Sequence, residues 1–197
     1  MRRSAAVMVL SALCLFACGC ERTSRPNILL VVVDTLRSDH VGAYGYSRPT
    51  TPEIDRIAGR GMLFRAARTT SSWTVPAVGS LFTSLYPSQH GAYVPGEMKN
   101  LSETTPPQQL ANGIETVADR LQAQGYATAL FSANPFLYGR FKSGFETAQV
   151  ERVDAKSLTD AALAWLARVE TRPRFLYVHY MDAHQPNTPP EPYSSMF

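Results

Sequence analysis

Cysteine is confined to one end of this 197-residue chain: Cys14, Cys18 and Cys20 are its three thiols. No disulfide framework can be drawn through the rest. Long hydrophobic runs are also lacking. The apolar stretch from Ala5 to Ala17 is too short to cross a bilayer as a helix. A strong charge of either sign is missing too. Lys and Arg number 19 against 16 Asp and Glu, and several arginines fall in the first 26 residues. The net charge of +3 includes those arginines and leaves no basic patch of the kind a nucleic-acid partner needs. No internal repeat is found. With 45% hydrophobic and 18% charged residues, the composition is that of an ordinary globular protein.

The first 20 residues read as a targeting segment. Met1-Arg2-Arg3 is a positive n-region, and the short apolar run ends in small residues, as in a bacterial signal peptide. Leu15-Phe16-Ala17-Cys18 resembles a lipobox with lipidation on Cys18, and Ala17-Cys18-Gly19-Cys20 is a second, shifted match. The alternative is a plain secretory signal with incidental cysteines. Residues 21–26 form a polar tether and residues 27–197 the folded domain. The expectation is an exported protein of the bacterial cell envelope, lipid-anchored in the periplasm and touching the membrane through that anchor.

Strand-like and helix-like stretches then alternate, which predicts a parallel sheet with covering helices. Asn27 to Val33 is a nearly continuous apolar run, expected to be a central strand covered on both faces. Asp34 ends it, at the carboxyl end where open α/β sheets bind ligands. A carboxylate there suits a hard cation such as calcium or magnesium, or else starts a turn. Arg37, Asp39 and His40 read as a structural or solvated loop. Thr51 to Ala58 reads as a helix with Pro52 in its first turn, and Met62 to Ala67 as a second strand.

Pro76, Val78, Leu81, Phe82 and Leu85 recur at helical spacing. Thr74 thus stands at or just before a helix N-terminus, where unpaired N–H groups and the dipole favour an anion. A hydroxyl there can attack a sulfuryl or phosphoryl group, or simply cap the helix. Tyr86 to Gly91 reads as a turn with His90 satisfied by backbone, and residues 92–112 as a surface loop. Thr116 to Gln124 is a short helix, Ala127 to Phe131 a third strand and Phe136 to Val153 a loop. Ser157 to Val169 is a helix with a core stripe of Leu158, Ala161, Ala162, Trp165 and Leu166. Phe175 to Asp182 is a fourth strand, and His184 lies just beyond it.

Three stretches carry a resemblance: residues 25–46 around Val33-Asp34-Thr35, residues 71–91 around Thr74-Val75-Pro76-Ala77-Val78, and residues 175–193 around Asp182-Ala183-His184-Gln185-Pro186. In this order they resemble the N-terminal half of a sulfatase-family protein of the alkaline phosphatase superfamily. The resemblance implies an α/β fold, a mostly parallel sheet flanked by helices, incomplete at the C-terminus. The family's second metal pair, an Asp followed by His or Asn, and a further Lys belong to the other half.

The resemblance also implies a metal-dependent hydrolase or transferase acting on sulfuric or phosphoric esters of small molecules, glycans or lipids. Asp34 matches the first metal ligand, with calcium the leading ion and magnesium, manganese or zinc as alternatives. Thr74 takes the nucleophile position, and His184 the place of a His near the ester oxygen. Asn134 remains as a hydrogen-bond donor to substrate, while His179 and Asp182 are secondary candidates.

The chain departs from the family pattern in places. Thr35 stands where many members have a second Asp. Ala77 and Val78 replace a Ser and an Arg, and Ser132-Ala133-Asn134-Pro135 replaces Gly-Lys-Trp-His. Threonine is not converted to formylglycine by the usual route, although superfamily relatives that transfer phosphoglycerol or phosphoethanolamine use Thr directly. Two other readings stay open: an exported, non-catalytic sulfatase-like binding protein, and an inactive truncated fragment.

Overall fold

The computed structural model describes residues 25–93, 109–169, 171–186 and 188–196. The leader with Cys18 and most of the 92–112 loop lie outside the described residues. Four strands, β1 (Ile28–Val33), β2 (Ala127–Ser132), β3 (Thr147–Val150) and β4 (Arg174–Tyr180), form one parallel sheet in the order β1-β4-β2-β3. The helices are α1 (Pro52–Ala58), α2 (Thr74–Thr83), α3 (Pro87–His90), α4 (Val117–Ala123) and α5 (Ala155–Arg168).

Side chains alternate across a strand, so β4 feeds two cores. Phe175 and Tyr177 join Val75, Val78 and Phe82 of α2 and Ala118 of α4 on one face. The Phe82 ring meets Tyr177 edge-on at 4.9 Å, which seats α2 directly over the sheet. Leu176 and Val178 point the other way, against Leu158, Ala162 and Trp165 of α5. Each such side chain, when fully buried, stabilises the fold by about 1.5–3 kcal/mol.

Caps set the helix starts. Thr116 Oγ1 accepts from the Asp119 N–H at 3.1 Å, and Asp119 Oδ2 accepts from the Thr116 N–H at 2.8 Å, which opens α4. Asp154 accepts from the Ser157 N–H at 2.9 Å, so α5 starts at Ala155 rather than at Ser157.

Four expectations need correction. Strand β1 is an edge strand among the described residues, with Leu29 63% and Val31 47% exposed on its outer face. Met62 to Ala67 is not a strand. It runs as coil with a turn at Arg65 and Ala66, and Met62 and Phe64 are exposed, because no described strand lies beside it to complete a ladder. The 136–153 stretch is more than a loop. It holds a 3-10 turn at Gly139–Lys142 and the edge strand β3, whose four half-buried residues give too little alternation to read. Tyr86 to Gly91 contains the short α3, started by Pro87 and tied by Gln89 Oε1 accepting from the Tyr86 N–H at 3.0 Å.

Candidate active site

The site is built on the carboxyl end of β1. The Asp34 N–H donates to the Tyr180 carbonyl at 2.9 Å, extending the β1–β4 ladder one step past the strand. Thr35 then takes a left-handed backbone, φ 55°, and turns the chain away. Its hydroxyl donates to the Ala183 carbonyl at 3.0 Å, tying this corner to the loop after β4. The Asp34 carboxylate is thereby left at the sheet edge, its side chain only 10% exposed.

Three donors converge on one oxygen of that carboxylate. Oδ2 accepts from Thr74 Oγ1 at 2.9 Å, His179 Nε2 at 3.0 Å and Asn134 Nδ2 at 3.2 Å. Oδ1 receives no hydrogen bond among the described residues. Burial pushes the Asp34 carboxyl up, but the hydrogen bonds from His179, Thr74 and Asn134 hold it below its ordinary value. The group is an anion at neutral pH.

Each donor is aimed by its own element. Thr74 is the first residue of α2, anchored by the buried Val75 and Pro76. The N-cap position belongs to Trp73, which makes no side-chain cap. The Thr74 hydroxyl is therefore not a cap, and its bond goes to Asp34. Asn134 follows the end of β2. Its Oδ1 accepts from the Phe136 N–H at 2.9 Å, which turns Nδ2 toward Asp34. His179 lies in β4 with Val32 of β1 on one side and Ser132 of β2 on the other. Its Nδ1 pairs with the Tyr177 hydroxyl at 2.7 Å, and both residues are almost fully buried.

Thus Asp34, Thr74 and Asn134, singled out from the sequence, come together. His184 comes only to the same edge. Its Nδ1 is bonded to the Gln185 carbonyl at 2.8 Å, and among the described residues no hydrogen bond joins it to Asp34 or Thr74. Asp182 turns away and accepts from the Ala155 N–H at 3.0 Å, at the start of α5. His90 is fully buried between the Ser80 hydroxyl and the Ala92 N–H. His179, a secondary candidate from the sequence, proves to be a direct partner of Asp34, and Tyr177 was not singled out at all. The available signal was a histidine two residues after a tyrosine on one face of an otherwise apolar strand.

Chemically, the corner presents a hydroxyl at a helix N-terminus, where N–H groups favour an anion, with its proton directed to a carboxylate.

The family model described as Sulfatase matches residues 26–197. The chain is 31% identical over 112 residues to an N-acetylgalactosamine-6-O-sulfatase of Bacteroides thetaiotaomicron, covering 56% of this chain and 20% of that protein. It is 34% identical over 114 residues to arylsulfatase A of Bos taurus, covering 58% and 22%. The chain thus aligns with about a fifth of the length of these curated relatives. Among solved structures it resembles the phosphonate monoester hydrolase of Agrobacterium radiobacter, with a TM-score of 0.69 and 21% identity over 88% of this chain and 44% of that one. A protein of the alkaline phosphatase superfamily from Vibrio parahaemolyticus gives a TM-score of 0.62 at 23% identity, over 85% and 43%. These two likenesses speak to the fold: α/β, alkaline-phosphatase-like.

Proposed function

Since this chain belongs to the sulfatase family, we propose that it carries the nucleophile-bearing part of a hydrolase or transferase for phosphoric or sulfuric esters, with Thr74 as the attacking group. The observation that carries this reading is the bond from Thr74 Oγ1 to Asp34 Oδ2, 2.9 Å long, at the first turn of α2. In the reaction Thr74 Oγ forms a bond to phosphorus as the bond from phosphorus to the leaving oxygen breaks. The Thr74 proton moves to Asp34, and the leaving oxygen takes a proton from His184. Water then attacks phosphorus and gives a proton back to His184, as the bond from phosphorus to Thr74 Oγ breaks and Asp34 returns the proton that restores the Thr74 hydroxyl. Little covalent help is needed for such a transfer, so position and charge stabilisation dominate, and the N-terminus of α2 supplies part of both.

A divalent cation, calcium first and magnesium, manganese or zinc as alternatives, fits this corner in part. Asp34 Oδ1 and the Thr74 hydroxyl are the hard oxygen donors such ions take. Among the described residues, however, no group of three His, Cys, Asp or Glu side chains that could hold an ion comes together. Asp34 would be the ligand from this chain, and the ion would supply neutralisation of charge on the transferring group.

Phosphorus is favoured over sulfur on chemical grounds. A formylglycine hydrate expels sulfate by collapsing to an aldehyde, which a threonine sulfate cannot do. A phosphothreonine is instead cleared by a second attack at phosphorus. The glycan, lipid or small-molecule part of the substrate is carried on the ester oxygen. The competing reading, a non-catalytic binding protein, draws on Ala77, Val78, Ala133 and Pro135, which stand where the family has a Ser, an Arg, a Lys and a His. We also propose export and lipid anchoring at Cys18, supported by Leu15-Phe16-Ala17-Cys18. An unmodified mature N-terminus beyond Cys20, by mass spectrometry, overturns that part.

The deciding experiment gives the full-length protein aryl phosphate monoesters, diesters, phosphonate monoesters and sulfate esters, with each cation in turn. The phosphorus esters are expected to turn over faster, with a phosphate trapped on Thr74. Thr74→Ala should lower kcat by about 10^3-fold or more, as loss of a nucleophile does. Undiminished Thr74→Ala activity, or sulfate turnover that needs a formylglycine-generating enzyme, overturns the assignment.

A further inference from the structure

The residue this reading leaves unused is His179. It sits in a strand whose neighbours on both faces are apolar, and only 1% of its side chain meets solvent. Burying an imidazole is unfavourable unless both ring nitrogens are paired. Here both are: Nδ1 with the Tyr177 hydroxyl at 2.7 Å and Nε2 with Asp34 Oδ2 at 3.0 Å.

The partners fix the direction of each bond. An ionised carboxylate only accepts, so Nε2 must carry a proton. Tyr177 is fully buried, and burial together with the nearby Asp34 charge pushes its phenol far above the ordinary range, so the hydroxyl keeps its proton. The phenol then donates to Nδ1 and the imidazole donates to Asp34. One protonation pattern satisfies all three groups at once: Tyr177 O–H to Nδ1, and Nε2–H to Oδ2. Tyr177 reads out on Asp34 only through the ring between them. It stands two residues before His179 on the same face of β4, flanked by Leu30 and Leu130, and cannot turn without leaving its contact with Phe82.

We propose that His179, its ring held in place by Tyr177 and its Nε2–H turned to Asp34, is a positioning residue that orients the Asp34 carboxylate so that Oδ2 takes the Thr74 hydroxyl and Oδ1 faces the reacting group. The proposal rests on the reading of Thr74 and Asp34 given above. Without the imidazole, the carboxylate keeps only Thr74 and Asn134, two donors on separate loops and helices, and can rotate about its Cβ–Cγ bond. With Tyr177 reduced to phenylalanine, Nδ1 loses its donor. The ring is then tied at Nε2 alone and can turn in its slot, taking the Asp34 carboxylate out of line with Thr74.

The test has two readouts on the full-length protein. Nitrogen NMR of the His179 ring is expected to give Nε2–H and a hydrogen-bonded, unprotonated Nδ1 in the parent, and an Nδ1 signal displaced by the loss of its donor in Tyr177→Phe. That variant removes one oxygen and keeps the core filled. In turnover of the phosphorus esters, Tyr177→Phe and His179→Leu should lower kcat by about 10- to 100-fold, the usual effect of losing an outer partner of a reacting group, with little change in KM. His179→Gln, whose amide N–H can reach Asp34, should recover part of the loss. An Nδ1–H ring in the parent overturns the proposal. So does a Tyr177→Phe variant with an unaltered Nδ1 signal and kcat, or a His179→Gln variant no better than His179→Leu. A parent that turns over none of these esters overturns the enzymatic reading, while the tautomer measurement still decides the positioning role.

Discussion

Gly79→Ala should destabilise this protein, although alanine is the better helix former. Gly79 lies inside α2, where the exchange on its own gains about 1 kcal/mol of propensity. A Cβ added there would stand 2.6 Å from Cε1 of His90 and 3.0 Å from both ring nitrogens. The ring is not the loose end of a flexible chain. It is fully buried, its Nδ1 accepts from the Ala92 N–H at 3.1 Å, and its Nε2 meets the Ser80 hydroxyl at 3.1 Å. Burial also pushes the His90 pKa below its usual value, so the ring is neutral and packs as a core group. Overpacking of this kind costs about 1–3 kcal/mol. If the ring yields, it gives up two hydrogen bonds of about 0.5–1.5 kcal/mol each. Either way the net result is a loss of up to about 2 kcal/mol after the propensity gain, or a Tm lower by up to about 8 °C for a domain of this size. Urea and thermal unfolding measure it. A double-mutant cycle with His90→Ala should show that the penalty disappears once the ring is gone. A Gly79→Ala protein more stable than the parent would refute the reasoning. The same contact matters for the site, because α2 carries Thr74 at its other end and any tilt moves that hydroxyl away from Asp34.

Phe82→Ala, which removes the ring that packs on Tyr177, Phe145 and Phe141, should cost about 3–5 kcal/mol by urea unfolding; a loss below 1 kcal/mol would contradict the packing of α2 on the sheet. Thr116→Val removes the hydroxyl that caps α4 and should lower stability by about 1 kcal/mol, seen as a lower urea midpoint with an unchanged slope. Asp34 has a folded pKa held below its unfolded value, so its share of stability is complete above about pH 4 and is lost as the pH falls through the folded pKa. Asp34→Asn should therefore flatten the acid limb of stability against pH, and urea midpoints from pH 6 downward that keep the parent's slope would count against it.

Much of the fold was legible because it rests on local patterns. The runs that became β2 and β4 and the stripe of Leu158, Ala162 and Trp165 on α5 each announce their element within a dozen residues. What was misread depends on neighbours. The Val-rich β1 has the composition of a central strand, yet at the sheet edge its Leu29 and Val31 face outward. Met62 to Ala67 has the look of a strand, but a strand is defined by the ladder it joins, and none is offered there by the described residues. β3 failed the opposite way: four residues beside β2 became a strand because Ala129 to Ser132 supplied the ladder.

The site was half legible for a related reason. Its donors lie 40, 100 and 145 residues from Asp34, and each has an ordinary use close to home. A threonine at a helix start caps it, an asparagine after a strand makes a turn, and a histidine in a strand finds a core partner. Only in three dimensions is the cap seen to be declined and the other two residues seen to keep one donor back. Trp73 takes the cap position without capping, and Asn134 makes its turn through Oδ1 alone and leaves Nδ2 over. His179 does find a core partner in Tyr177, but with only one of its two nitrogens. Three donors turned onto one oxygen of one carboxylate point to a site rather than to fold maintenance, since none of the three belongs to the apolar core of the α2 face. That convergence, more than any single motif, is why the proposal is built on Asp34 and Thr74 and gives Asp182 no part.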